Sequence, residues 1–159
     1  MGMTTFTGPV TAGNVLNSDG SGNLASAGGD SGTANVGYCE MAQSQVITQA
    51  GPLANGVFTT NIVIPAQSQI TSIDLLVTTA WSGAAKTAGI GTTVSATYLT
   101  AAGSIDGSTA TKVSASPGAS QVANWQNVGS TDIQVKVTST NTGSGIGVLV
   151  VRYIQSNNI

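Results

Sequence analysis

The chain has 159 residues, of which 40% are hydrophobic and only 6% are charged; it contains four Lys or Arg, six Asp or Glu and no His. An average soluble domain is about 25% charged, so the groups used in acid–base catalysis are scarce in this chain. Because His is absent, no Ser–His–Asp set can exist. The length fits one domain, the hydrophobic content argues against general disorder, and a net charge of −2 excludes the basic surface that nucleic acid requires.

The first 35 residues differ in composition from the rest. They are rich in Gly, Ser, Thr, Asn and Ala, with few large apolar side chains, and cannot build a core of their own. We therefore predict a flexible N-terminal arm over residues 1–35 and one folded domain over 36–159. Asp19-Gly20 predicts a tight turn, and thus a small hairpin within the arm. Five apolar side chains are spaced along the arm as candidate partner-binding anchors: Phe6, Val10, Val15, Leu16 and Leu24.

From Val36 onward, the chain consists of apolar runs separated by turn signals, without helical periodicity. The predicted strands are Gly37–Thr48, Val57–Ile64, Ile70–Ala80, Thr92–Leu99, Thr111–Ala115, Val122–Val128, Asp132–Thr138 and Gly147–Ile154. About eight short strands predict an all-β fold, specifically a single jelly-roll-like β-sandwich with an extended N-terminal arm. An immunoglobulin-like sandwich is the alternative, with Trp125 as its core tryptophan but without its cysteine pair.

The apolar members of these runs predict the core. Alternation in residues 132–137 indicates a half-solvated strand. The continuous run Val148–Val151 instead favours a central strand covered on both faces, by the sandwich or by a subunit contact. The side chains predicted to be buried are Ile62, Ile64, Ile73, Leu75, Val77, Val135, Val137 and Val150.

No pattern in the sequence predicts a catalytic, metal or cofactor site. The carboxylates are scattered, and Asp19 to Asn23 fits a hairpin turn better than a calcium site. Gly89 to Thr92 lacks the Lys and the helix of a phosphate-binding loop. The Trp and Tyr residues fit core or interface packing better than a sugar-stacking platform. Cys39 is the only cysteine, which excludes an internal disulfide and predicts a buried thiol.

Neither a signal peptide nor a membrane span is expected. The N-terminus shows no basic region followed by an apolar run. No stretch approaches the roughly 18 apolar residues of a spanning helix. The chain is therefore expected to be made in a cytoplasm.

Several turn and strand-edge patterns resemble those of β-rich virion proteins of tailed bacteriophages. They are Ile64-Pro65-Ala66 before a strand, Trp81-Ser82-Gly83 after it, Gly89 to Thr92, Asn127 to Thr131, and the last strand with Val151-Arg152-Tyr153-Ile154. Residues 13–23 are similar to segments of phage fibre proteins. The resemblance covers most of residues 57–155 and part of the arm, and within that group the chain is most similar to head decoration (cement) proteins.

This resemblance implies a structural protein of the virion, not an enzyme, made in the host bacterial cytoplasm. It would bind the major capsid protein on the outer capsid surface, as a jelly-roll homotrimer, and stabilise the shell. It implies no nucleic acid, membrane or cofactor partner, and it carries over no site residues. The alternative is a fibre or lectin-like module that binds a host surface glycan; a hydrolase would need a carboxylate pair that the sequence does not show.

Overall fold

The computed structural model describes residues 40–50, 57–139 and 142–155. These residues form eight strands and one short helix. In chain order they are β1 (Glu40–Thr48), β2 (Val57–Ile64), β3 (Gln69–Thr79), β4 (Thr87–Thr92), β5 (Ile105–Asp106), β6 (Lys112–Ser114), α1 (Val122–Gln126), β7 (Ile133–Ser139) and β8 (Ile146–Ile154). None of the described helices is long and apolar enough to cross a membrane.

The strands form two four-stranded sheets in the order of a jelly roll. The first sheet has the order β1-β8-β3-β6 and the second has the order β2-β7-β4-β5, and all of the pairs are antiparallel. Consecutive strands cross from one sheet to the other, except that β4 and β5 pair within the second sheet. This connectivity confirms the predicted jelly-roll sandwich and does not fit the immunoglobulin-like alternative.

The core lies between the sheets because apolar side chains alternate along the strands. Ile62 and Ile64 of β2, Ile73, Leu75 and Val77 of β3, and Val135 and Val137 of β7 are buried as predicted. Trp81 and Tyr153 are the largest fully buried side chains. Burying one of the Ile, Leu or Val side chains of this core stabilises the fold by about 1.5–3 kcal/mol.

The prediction that Val150 is largely buried was wrong. Val150 is only half-buried, because Leu149, Val151 and Tyr153 of β8 face the core while Val148, Val150 and Arg152 face the opposite side. β8 is indeed a central strand, flanked by β1 and β3. Its second face, however, is not covered by the described residues of this chain.

Two predicted strands were wrong, and one short strand was not predicted. Residues 122–126 form a helix, not a strand, and Trp125 on this helix is half-buried, so it is not the core tryptophan. The predicted strand 92–99 lies earlier, at β4, and residues 93–100 form bends and one turn. Ile105 and Asp106, which lie between two predicted strands, form the short strand β5. Residues 37–39 of the first predicted strand lie outside the described residues.

Candidate interaction surface

The face of the first sheet that points away from the core is arranged in cross-strand rows, and we call it the outer face. One row is Val46–Val148–Leu76–Lys112 and the next is Ser44–Val150–Asp74–Ser114. Ala42, Arg152 and Ser72 form a third row, which is bordered by Ile154, and Ile146 borders the first row at the other end. The outer face therefore combines an apolar row near one end with a small charged cluster around Asp74.

The apolar part of the outer face is accessible in the single chain. Val46 is 57% exposed, Ile146 42% and Leu76 38%. Val148 lies half-buried between Val46 and Leu76 in the same row. A contiguous apolar patch of this kind on a sheet face marks an interaction surface more often than isolated exposed hydrophobic residues do.

Asp74 is the centre of the charged cluster and is itself buried. Its Oδ1 accepts a hydrogen bond from Ser114 Oγ at 2.7 Å and lies 3.3 Å from Lys112 Nζ. Its Oδ2 accepts from Arg152 Nη1 at 2.8 Å, and the same Nη1 lies 3.2 Å from Ser72 Oγ. Two of the four basic residues of the chain are thus held by one carboxylate on the outer face.

The environment of Asp74 favours its ionised form. Burial raises the pKa of the carboxyl, but hydrogen bonds from Ser114, Lys112 and Arg152 and the charge of Lys112 together lower it by more. The net result is a pKa below the ordinary value. Three donors, from Ser114, Lys112 and Arg152, thus surround the carboxylate and fix the positions of the two cations on the outer face.

The outer face of the second sheet is different because the chain itself covers part of it. A Cβ placed on Gly91 would lie 2.2 Å from the carbonyl oxygen of Ser95, and one on Gly89 would lie 3.3 Å from Cα of Ala102. Leu99 and Thr100 donate their backbone N–H groups to the Ile90 carbonyl. The segment 95–103 therefore packs against β4, at the place where glycine leaves room for its backbone.

Side-chain amides of β1 connect the two sheets along one side. Gln43 donates from Nε2 to the Val63 carbonyl at 2.7 Å and to Tyr153 Oη at 2.7 Å, and its Oε1 accepts from Val63 N–H at 3.2 Å. Gln45 Oε1 accepts from Asn61 N–H at 2.6 Å. The backbone of the edge strand β2 is thus hydrogen-bonded by side chains of the other sheet.

The described residues bring no group of three potential metal ligands together. Asp132 accepts from Ala66 N–H, and Asp106 accepts from Ser108 N–H, a bond that lowers the pKa of Asp106. The depression lined by Gly89, Ala96, Thr97, Ala102, Gly103 and Thr138 contains no titratable side chain. Residues 89–92, considered above as a phosphate loop, instead form most of β4.

None of the aromatic side chains in the described ranges forms an exposed sugar platform. Trp81 and Tyr153 are buried. Trp125 and Tyr98 are half-buried, and their polar atoms donate to the Leu99 and Val128 carbonyls.

The candidate residues predicted from the sequence do not include those that the structure brings together. Phe6, Val10, Val15, Leu16, Leu24 and Cys39 lie outside the described residues, as do Asp19 to Asn23. The outer-face residues Val46, Asp74, Leu76, Lys112 and Arg152 had not been identified as a site. One signal was available: Arg152 interrupts the apolar run of β8, and an arginine in a central strand needs a partner.

Comparison with solved structures supports the fold. No protein-family model and no curated protein matches the chain. A chain in the structure of the cyanophage Pam1 capsid asymmetric unit matches with a TM-score of 0.56 and 17% identity, covering 76% of this chain and 87% of that one. A chain in the capsid of Ralstonia phage GP4 matches with a TM-score of 0.52 and 17% identity, over 76% and 86% of the two chains. The similarity extends over most of each of those chains.

Proposed function

We propose that this protein is a structural component of a phage virion that binds the outer surface of the capsid and stabilises the shell. The observation that carries this proposal is the similarity in fold to one chain in each of two phage capsid structures. The similarity covers most of the length of both of those chains. A chain that consists mainly of one sandwich, with scarce charge and an accessible apolar sheet face, is suited to binding and not to catalysis.

The outer face of the first sheet is the proposed contact with the major capsid protein. Val46, Val148 and Leu76 supply apolar area, and Arg152 and Lys112 supply donors for acidic groups of the partner. Four strands of this length present roughly 500 Å². That is less than the about 800 Å² per partner of a typical stable interface, so additional contacts are needed.

Two further features of the proposal provide those contacts. We propose that the protein acts as a homotrimer, so that several weak contacts engage the shell together and gain avidity. We also propose that residues 1–35 tether it to the shell or to a neighbouring subunit, with Phe6, Val10, Val15, Leu16 and Leu24 as anchors. Stabilisation then follows from mass action, because a ligand that binds only the assembled shell favours that state.

The location of the protein in the virion tests this proposal. Cryo-electron microscopy of particles that contain the chain should show it distributed evenly over the head. Localisation at the tail tip would instead support the glycan-binding alternative and contradict the proposal.

A matched pair of substitutions tests the contact. Leu76→Lys on the outer face should reduce retention on the head, whereas Val94→Lys should not, because Val94 is 94% exposed and lies outside the first sheet. Equal retention of the two variants would exclude the outer face as the contact.

A further inference from the structure

The four edge strands of the sandwich are not equally protected against pairing with another strand. β5 has two residues and β6 has three, which is too short to template a stable addition. The edge of β2 is occupied by the amides of Gln43 and Gln45. β1 has nine residues, and its register with β8 is continuous from Glu40 to Thr48.

β1 also lacks the sequence features that usually protect an edge. Natural edge strands carry Lys, Pro or a β-bulge that prevents another strand from pairing. Residues 41–48 of β1 contain no charged residue and no Pro, and their pairing with β8 contains no bulge. Among the described residues, β8 is the only strand that pairs with β1.

Exposed apolar side chains lie on both faces of β1. Met41 is 44% exposed and pairs with the core-facing Tyr153, whereas Val46 is 57% exposed and pairs with Val148 of the outer face. A partner that docks on one sheet face would cover only one of these two side chains. A strand added beside β1 would flank both, because it extends both faces of the sheet.

We propose that residues 9–16 of a neighbouring copy add to β1 as an antiparallel strand. Val10 and Val15 are five residues apart, as are Met41 and Val46, so Val10 would lie beside Val46 and Val15 beside Met41. Directly opposed residues share a face in an antiparallel pair. This inference rests on the homotrimer of the proposed function and identifies where each arm binds.

The remaining residues of the segment are compatible with this register. Residues 9–16 carry no charge, and Pro9 stands at the first position, where a strand tolerates proline. Ala12 would pair with Ser44 and Asn14 with Ala42. Main-chain hydrogen bonds and the covering of Met41 and Val46 would offset the entropy of ordering the segment.

The distance along the chain favours a neighbouring copy over the same chain. In this register Leu16 lies beside Glu40, so addition within one chain would need residues 17–39 as a 23-residue hairpin loop, whereas such loops usually have 2–5 residues. A Gly/Ser-rich chain of that length has a root-mean-square end-to-end distance of about 26 Å. That is enough to reach a neighbouring domain of this size.

Disulfide trapping in the full-length protein tests the register and the source of the strand. In a Cys39→Ser background, Ala12→Cys and Ser44→Cys are prepared as two single variants, mixed during assembly and oxidised. The Cα atoms of opposed residues are 4.5–5.5 Å apart, which a disulfide spans. We expect a covalent dimer of the two variants, at least about tenfold more abundant than with Asn61→Cys at the occupied edge of β2.

Each other result overturns the inference. No cross-link, or equal cross-linking to Asn61→Cys, would exclude β1 as the acceptor. A variant that carries both Ala12→Cys and Ser44→Cys is oxidised in parallel, and a cross-link that forms only within this doubly substituted chain would exclude the neighbouring copy. Retention on the head is measured separately. If the protein is retained on the head but no cross-link forms, only the pairing of residues 9–16 with β1 is contradicted. If the cross-link forms but the protein is not retained, only the proposed function is contradicted.

A substitution at the edge provides a second measurement that does not depend on cysteine. Val46→Lys places a charge on the exposed edge and should reduce the cross-link about tenfold while the domain stays folded. Val94→Lys is the control and should leave the cross-link unchanged. Equal yields in the two variants would contradict the proposed pairing.

Discussion

The outward faces of the two sheets differ, because one is partly covered by the chain and the other is exposed. In the second sheet, Gly89 and Gly91 leave room on β4 and the segment 95–103 fills it with its own backbone. In the first sheet, Val46 and Leu76 are exposed and no described segment of the chain lies over them. One chain thus covers the outward face of one sheet with its own backbone and leaves apolar side chains exposed on the outward face of the other.

A pair of adjacent leucines gives the largest test of this difference. Leu75 is 1% exposed and faces the core, whereas Leu76 is 38% exposed and lies on the outer face. We expect Leu75→Ala to lower the free energy of unfolding by about 2–5 kcal/mol. Leu76→Ala should lower it by less than about 1 kcal/mol. Denaturant unfolding measures both, and similar losses would show that the outer face is packed within the chain.

The strands were predictable where alternation was regular and a turn signal followed. Val57–Ile64 was predicted with its observed bounds, and β3, β7 and β8 shifted by a single residue at their ends. These strands have one buried face, and a period of two specifies that face without tertiary information.

The elements that were predicted wrongly depend on contacts between residues that are distant in the sequence. β4 carries two glycines, which disfavour a strand, and it is stabilised by the segment 95–103 that covers it. Helix α1 is too short to display a 3.6-residue period; Trp125 Nε1 helps to hold it by donating to the Leu99 carbonyl.

The candidate surface was not predictable for a related reason. Asp74 meets Ser114 and Arg152 across 40 and 78 positions of the chain. Only the register of β3 with β6 and β8 places these residues together. In the same way, a continuous run such as Val148–Val151 does not reveal which alternate residues face the core.

A second test concerns the covered face of the second sheet. Gly91→Ala would bring a methyl group within 2.2 Å of the Ser95 carbonyl oxygen, so the segment 95–103 must move away from β4. We expect a loss of about 1–3 kcal/mol in thermal or denaturant unfolding. Ser44→Ala, on the exposed outer face of the first sheet, is the control and should stay within about 0.5 kcal/mol of the wild type. A neutral Gly91→Ala would mean that the segment does not close this face.

A third test uses acid. Because the pKa of Asp74 in the folded chain is below its ordinary value of 3.8, its stabilising contribution is complete above that value. The contribution is lost as the pH falls through the lower folded pKa. Asp74→Asn should therefore cost about 1–3 kcal/mol at neutral pH, since two cations then face a buried amide.

The pH profile of that variant separates charge from packing. The free energy of unfolding of Asp74→Asn should fall less steeply than that of the wild type as the pH drops below 3.8 towards the lower pKa of Asp74 in the folded chain. Arg152→Leu should lower the free energy of unfolding more than Lys112→Met does. Arg152 lies closer to the Asp74 carboxylate than Lys112 and also donates to Ser72 Oγ. Parallel pH curves for Asp74→Asn and the wild type would exclude an ionised Asp74 as the source of the acid sensitivity.

The smallest expected effect concerns the side on which β1 and β2 meet. Gln43→Leu removes the acceptor of Val63 N–H and the donor to the Val63 carbonyl, which opens the edge of β2 to water. We expect a loss of about 1 kcal/mol in global stability and faster amide hydrogen exchange at Val63. Ser44→Ala on the opposite face of β1 is the control and should leave that exchange rate unchanged. If the Val63 amide exchanges as slowly in Gln43→Leu as in the wild type, the side-chain amides do not protect β2, and both β1 and β2 would have to be considered open edges.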